Sequence, residues 1–205
     1  MSAAGSATRH TNAGPGTSGL GSEVVLIPVK GFRQAKRRLG ATLSDAQRVE
    51  LVRTMAEQVV AASAPLQVAV VCDDIEVAQW ATGLGAVVMW EPGQGLNVAV
   101  RSAVSRLAEA RVAWVIVAHG DLPRACGLGS LGSFDGVTLV PDRLDDGTNV
   151  LRLPAGCDFH FAYGPGSFRA HRAEAVRLGL RVRVVRNPLL AYDVDWPADV
   201  LELTS

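Results

Sequence analysis

Val112-Ala113-Trp114-Val115-Ile116-Val117-Ala118 runs directly into His119-Gly120-Asp121-Leu122-Pro123. The first seven residues are the longest strongly apolar stretch of the chain, unbroken rather than alternating. Such a run suits a strand covered on both faces, as in a parallel sheet flanked by helices. It is too short to cross a bilayer, which takes about 20 apolar residues. Asp121 would then stand just past the carboxyl end of a buried strand, the place where open α/β sheets bind ligands.

Working outward, the preceding chain alternates strand-like and helix-like segments. Glu23 to Val29 is a β-branched run of strand length. Ser44 with Gln47 forms a capping box, and Val52, Met55 and Val59 line one face of the helix it opens. Leu66 to Cys72 reads as a strand, Asp73-Asp74 as the cap of a helix to Thr82 that Gly83 ends, and Val87 to Trp90 as a third strand. After Gly93-Gln94-Gly95, Asn97 is expected to cap a helix with the stripe Val100, Val104 and Leu107. This order predicts a three-layer, Rossmann-like α/β fold: a mostly parallel mixed sheet with helices on both faces. Beyond Asp121 the expectation is three short strands (Val137 to Val140, Asn149 to Leu153, Asp158 to Phe161) and a helix over Phe168 to Leu178. A cation–valine alternation, Arg181 to Arg186, and a short helix opened by Pro197 complete the chain. Residues 23–205 read as one domain.

Composition narrows the function classes. The 205 residues carry 20 Lys+Arg against 20 Asp+Glu, which argues against a generic binder of nucleic acid or anionic membranes. Three scattered cysteines, Cys72, Cys126 and Cys157, fit neither a disulfide framework nor paired metal-ligand spacing, and they suggest a reducing compartment. Met1 to Ser22 is mostly Gly, Ser, Ala and Thr, read as a disordered leader without a secretory signature. A cytoplasmic location is expected.

Charge is nonetheless concentrated. Lys30, Arg33, Lys36, Arg37 and Arg38 place five cations in nine residues after the first strand. Cations there suit a polyphosphate, although the loop alone reads equally as a solvated turn. It is not a Walker A loop, and no GxGxxG fingerprint occurs. Asp121 and the pair Asp193 and Asp195 are candidate ligands for magnesium, which favours one or two carboxylates plus phosphate oxygens. If Asp193 to Asp195 is extended, the two acids share a side, about 6–7 Å apart. Singly, each acid is explained by a turn or a cap; three at strand ends opposite a basic loop favour metal-assisted phosphate chemistry. Thr148 is a candidate hydroxyl donor to phosphate, and Ser167, as the cap of the Phe168 helix, offers an anion site with free backbone N–H groups. His171 reads as a satisfied, partly buried histidine rather than a catalytic one.

Several motifs then occur in order: Lys30 with Lys36-Arg37-Arg38-Leu39, Leu43-Ser44 with Arg48 and Met55, Gly95-Leu96-Asn97, and Gly120-Asp121-Leu122-Pro123. Pro141-Asp142-Arg143 with Gly147-Thr148-Asn149, Tyr163-Gly164-Pro165-Gly166-Ser167-Phe168 with His171, and Asp193-Val194-Asp195-Trp196-Pro197 with Asp199 follow. Together they resemble the guanylyltransferases of deazaflavin coenzyme (F-420) biosynthesis, which act on 2-phospho-L-lactate or phosphoenolpyruvate. The resemblance spans residues 24–200. It implies a glycosyltransferase-A-like nucleotidyltransferase that moves GMP from GTP to a phospho-acid with magnesium and releases pyrophosphate. By the same resemblance Asp121, Asp193 and Asp195 hold magnesium, and Thr148, Gly164 and Ser167 bind the phospho-acid. Lys30, Lys36 and Arg38 face the triphosphate, Asn97 lies near the nucleotide, and Asp121 and Lys36 are the catalytic pair. A homodimer is compatible with the family.

The chain departs from the family pattern at His119, where a small residue preceded by proline is common, at the Gly-rich Arg124 to Gly136 connection, and at Trp196, where threonine is common. Two other readings compete. A nucleotidyltransferase for another acceptor (3-phosphoglycerate, a sugar phosphate or molybdopterin) is one; the sugar phosphate and molybdopterin enzymes usually open on a Gly-rich loop, whereas this loop has only Gly31 at the corresponding place. A catalytically silent nucleotide-binding domain is the other, and its difficulty is the retention of three acids it would not need.

Overall fold

The computed structural model describes residues 19–203. A seven-stranded sheet runs through the middle of the molecule in the order β3-β2-β1-β4-β6-β5-β7. Its strands are β1 (Glu23–Pro28), β2 (Gln67–Cys72), β3 (Val87–Trp90), β4 (Trp114–Ala118), β5 (Val137–Pro141), β6 (Thr148–Pro154) and β7 (Val182–Val184). The helices are α1 (Asp45–Ala62), α2 (Ile75–Gly83), α3 (Leu96–Glu109), α4 (Ser167–Arg177) and α5 (Pro197–Leu203). The expected three-layer arrangement is present.

The unbroken apolar runs earn their pattern by facing two cores. In β4, Ile116 and Ala118 join a core with α1 and α2, while Val115 and Val117 join another with α3 and α4. β1 does the same, with Val25 and Ile27 on one side and Val24 and Leu26 on the other. An alternating strand would leave one face polar; these two cannot.

One strand breaks the parallel rule. β6 runs antiparallel to both β4 and β5, because only a tight turn separates it from β5. Asp142 builds that turn by accepting the backbone N–H groups of Leu144, Asp146 and Gly147 at 2.9–3.0 Å. The consequence is positional: the start of β6 lies beside the end of β4. Ala118 pairs with Val150, and the His119 N–H donates to the Asn149 carbonyl at 3.0 Å. Thr148 and Asn149 thus reach the same sheet edge as Asp121.

Four expectations need correction. Asp158 to Phe161 is not a strand. Backbone donors in it and just after it go to side chains instead: His160 N–H to Glu174, Ala162 N–H to His171 and Tyr163 N–H to Asn97. Helix α3 is capped by Gly95, not Asn97, and α4 by Gly166, not Ser167. Both glycines have positive φ, 70° and 73°, which a glycine adopts without steric cost. The third correction is that the α4 N-terminus is not a free anion site, since Asp146 occupies it. Its carboxylate accepts from Gly166 N–H at 3.1 Å, and its carbonyl from Phe168 N–H at 3.0 Å. Fourth, the packed chain begins before Glu23. Leu20 contacts a core, Gly21 N–H donates to Gln67 and Ser22 accepts from Ala113 and Trp114. The rest of the leader expectation, residues 1–18, lies outside the described residues.

Candidate active site

The basic loop after β1 is an excursion that turns back on itself. Arg48 of α1, itself buried, donates to the Arg33 and Ala35 carbonyls at 2.8 and 2.6 Å and pairs with Asp45. That clamp fixes the loop immediately before Lys36. Lys36 takes a left-handed backbone conformation, φ 52°, and starts a short 3-10 turn over Arg37–Ala41. Its side chain is thereby directed across the end of the sheet.

There the Lys36 Nζ lies 2.5 Å from Asp121 Oδ2 and 2.6 Å from Asp195 Oδ1. A lysine after β1, an acid after β4 and an acid near the C-terminus converge on one point. Burial would depress the Lys36 ammonium, but the two carboxylates outweigh it and hold its pKa above the usual lysine value. Burial likewise disfavours the Asp121 carboxylate, yet Lys36, with His119 adding, keeps it below its ordinary value. Asp193 goes the other way. Burial, then the neighbouring carboxylates of Asp121 and Asp195, push it up to about 6, although Asn149 donates to it at 3.5 Å.

The acids are carried by backbone contacts. Val194 is fully buried, and its N–H donates to the Asp121 carbonyl at 3.3 Å, so its flanking acids turn away from the core. Asp199 accepts from the Asp195 and Trp196 N–H groups at 2.8 and 2.7 Å and is held by Arg143 at 2.6 Å. Asp199 rather than Asp195 therefore caps the turn before α5, which leaves the Asp195 carboxylate for Lys36.

Lys36, Asp121 and Asp195 open on a cleft of about 550 Å³ lined also by Lys30, Arg37, Arg38 and His119 among others, with Asp193 outside the lining. Four of the five loop cations line it; Arg33 instead turns to Glu76 at 3.6 Å. Arg38 stacks over the Trp196 ring at 4.8 Å, so the residue that departs from the family pattern holds a cleft cation. Asn97 lies outside the lining, with both ends of its amide engaged by the Tyr163 backbone at 2.7 and 3.3 Å. Thr148, Gly164 and Ser167 form a neighbouring set outside the cleft lining. The two hydroxyls are 3.5 Å apart, and Ser167 N–H donates to the Gly164 carbonyl at 3.1 Å.

Among the described residues no three His, Cys, Asp or Glu side chains form a ready metal cage. Lys36 stands between two of the acids instead. The donor chemistry nevertheless fits magnesium, which takes few protein carboxylates and completes its shell with phosphate and water. Asp121 Oδ1 is buried without a hydrogen-bond partner, and the acids exceed their lysine in charge. Sequence reasoning missed Arg48 and Arg143 as organisers of the site. The available signal was an arginine within a turn of the Ser44 capping box and another beside Asp142, but their targets are backbone carbonyls and a distant helix.

The family described as guanylyl transferase CofC like matches residues 23–204. A phosphoenolpyruvate guanylyltransferase from Rubrobacter xylanophilus is 36% identical over 191 residues, covering 89% of this chain and 93% of that protein. A 3-phospho-D-glycerate guanylyltransferase from Phenylobacterium zucineum is 35% identical, covering 87% and 88%. Among solved structures, a protein described as a nucleotide-diphospho-sugar transferase from Desulfovibrio desulfuricans G20 superposes with a TM-score of 0.72 at 16% identity, covering 89% of this chain and 86% of that one. That likeness shows a shared fold. With a sheet-end cleft of cations and carboxylates and a family match over nearly its whole length, the chain belongs to the CofC-like guanylyl transferases and is a nucleotidyltransferase.

Proposed function

We propose that the chain transfers GMP from GTP to the phosphate of a small phospho-acid, phosphoenolpyruvate or 2-phospho-L-lactate, and releases pyrophosphate. The observation that carries this reading is the Lys36 ammonium joining Asp121 and Asp195 at a cleft lined by Lys30, Arg37 and Arg38. In the reaction an acceptor phosphate oxygen forms a bond to the α-phosphorus of GTP as the bond to pyrophosphate breaks. The nucleophile is already an anion, so no protein nucleophile or strong base is required. The difficulty is bringing anions together in line, which positioning and cationic charge overcome. Lys30, Lys36, Arg37 and Arg38 neutralise the triphosphate, and Lys36 keeps the partly buried Asp121 ionised. Asp121, Asp193 and Asp195 would hold magnesium, which supplies further neutralisation of the phosphates when bound.

Phosphoenolpyruvate is carried over from the named relative, and 2-phospho-L-lactate from the family resemblance. The 3-phosphoglycerate enzyme at 35% identity makes that acid the alternative substrate. The same reading assigns the product to deazaflavin coenzyme assembly in a reducing cytoplasm, in keeping with three free cysteines. Among the described residues no helix is long and apolar enough to cross a membrane. The test mixes protein, GTP, magnesium and each phospho-acid separately and measures pyrophosphate. Release with phosphoenolpyruvate or 2-phospho-L-lactate is expected; silence with these and with 3-phosphoglycerate would end the reading.

A further inference from the structure

The segment that failed to become a strand has a consequence for substrate binding. Ala162 N–H donates to His171 Nε2 at 3.0 Å. A nitrogen that accepts carries no proton, so the neutral ring must carry its proton on Nδ1. His171 is fully buried between Phe159 and Tyr163, with ring centroids 5.8 and 4.7 Å away, and burial keeps it neutral. Its Nδ1 lies 3.0 Å from Thr148 Oγ1. The bond therefore has one direction, from His171 to the threonine oxygen.

The direction decides what Thr148 shows to a ligand. With a lone pair taken by His171, the hydroxyl proton is free to point elsewhere. Among the described residues one other hydroxyl is in hydrogen-bond contact with it: Ser167 Oγ donates from 3.5 Å, at the limit of such a bond, and Thr148 itself is 2% exposed. In the other tautomer Thr148 would have to donate to His171 and would turn lone pairs toward the ligand. A proton attracts an anion and a lone pair repels it. We propose that His171 is a positioning residue that makes Thr148 a hydrogen-bond donor to the anionic phospho-acid. The backbone of residue 162 writes the instruction, and His171 relays it. This rests on the reading that Thr148 touches the acceptor.

The relay is testable with variants that keep one half of it. Asn in place of His171 retains an N–H near the δ position; Gln retains an acceptor near the ε position for Ala162. H171Q is expected to raise KM for the phospho-acid about ten-fold or more, the scale of a lost hydrogen bond to a charged group, with KM for GTP unchanged. H171N is expected to restore most of that loss even though it is no better packed. Equal KM values in H171N and H171Q would overturn the relay. Imidazole 15N NMR on the wild-type chain, with the His171 signal identified by its absence in H171N, reads the tautomer directly and does not depend on either variant being active. The δ tautomer supports the proposal, and the ε tautomer refutes it. T148V separates the two ideas: if it leaves the phospho-acid KM unchanged, Thr148 does not touch the acceptor and the proposal falls with that assignment. If wild type turns over no phospho-acid at all, the proposed function has failed instead.

Discussion

Lys36 is held by two constraints that oppose each other. A non-glycine residue in the left-handed region costs about 1–2 kcal/mol, and the ammonium's contacts to Asp121 and Asp195 offset it. The ammonium sits where the carboxylates would otherwise repel, so it acts as a resident counter-charge. K36M keeps the stem and removes that charge. The variant should lose about 1–3 kcal/mol of stability, less than the roughly 3–5 kcal/mol of breaking a fully buried pair, because Asp195 is half-exposed and screened by solvent. It should also bind manganese without nucleotide more tightly than wild type, with a rise in Tm on adding the ion. Electron paramagnetic resonance of free manganese would settle this, and equal binding by both proteins would refute the counter-charge role. D121N should lower turnover about 100-fold or more while the chain stays folded, measured as pyrophosphate release with circular dichroism as the control. Lys36 and Asp121 were legible in the sequence because they follow buried strands; Asp195 was expected at a strand end, yet it lies in the loop before α5, well past β7. Their convergence on one atom was not, because it depends on a loop conformation that no spacing rule encodes.

At the scale of elements, the sequence disclosed whatever period and capping disclose. The Ser44 capping box is present on both sides, and Asp74 caps α2 by accepting from Glu76 and Val77. The misjudged features are those where a side chain replaced a backbone partner or a glycine replaced a side-chain cap. Asp158 to Phe161 has strand-like residues but lies where α3 and α4 side chains take the next donors, so no ladder forms. Asn97 and Ser167 look like caps, yet a glycine just before each helix takes the turn by virtue of its positive φ. The basic loop shows the same effect with consequences for function, since Arg48 of α1 determines its path. R48M is expected to release the loop, raise KM for GTP about ten-fold and lower stability by about 2 kcal/mol, because two hydrogen bonds from a charged group are lost. R48K should rescue little, since an ammonium cannot reproduce the fork that reaches two carbonyls and Asp45. Steady-state kinetics with both variants decide it, and a wild-type KM in R48M would show that the loop needs no clamp.

Across the whole molecule, equal numbers of acids and bases conceal a local excess of carboxylate, and its cost should appear as a pH dependence of stability. Three groups titrate in overlapping windows: burial lowers His171 and His119, and it raises Asp193. His171 falls from 6.5 unfolded to about 4 folded, chiefly through burial, with His119 and His160 adding and Glu174 opposing. Between those values the unfolded chain binds the extra proton, so stability rises with pH and is fully present above 6.5. Asp193 rises from 3.8 to about 6, so between those values the folded chain binds the extra proton and stability falls as pH rises. His119 contributes a slope in the same sense as His171, so Asp193 offsets only part of the two histidine slopes and wild type should rise gently from about pH 4 to 6. D193N removes one slope. It should be about 1–2 kcal/mol more stable than wild type at pH 7, after allowance for partial exposure, while losing activity, as expected where a site keeps charge at the expense of stability. It should also show a steeper rise in stability up to pH 6.5 than wild type, left by His171 and His119. Urea unfolding of both proteins across that range makes the comparison. A D193N protein no more stable than wild type at neutral pH, or one with a flat profile, would mean that the crowding of carboxylates at the cleft carries no energetic strain.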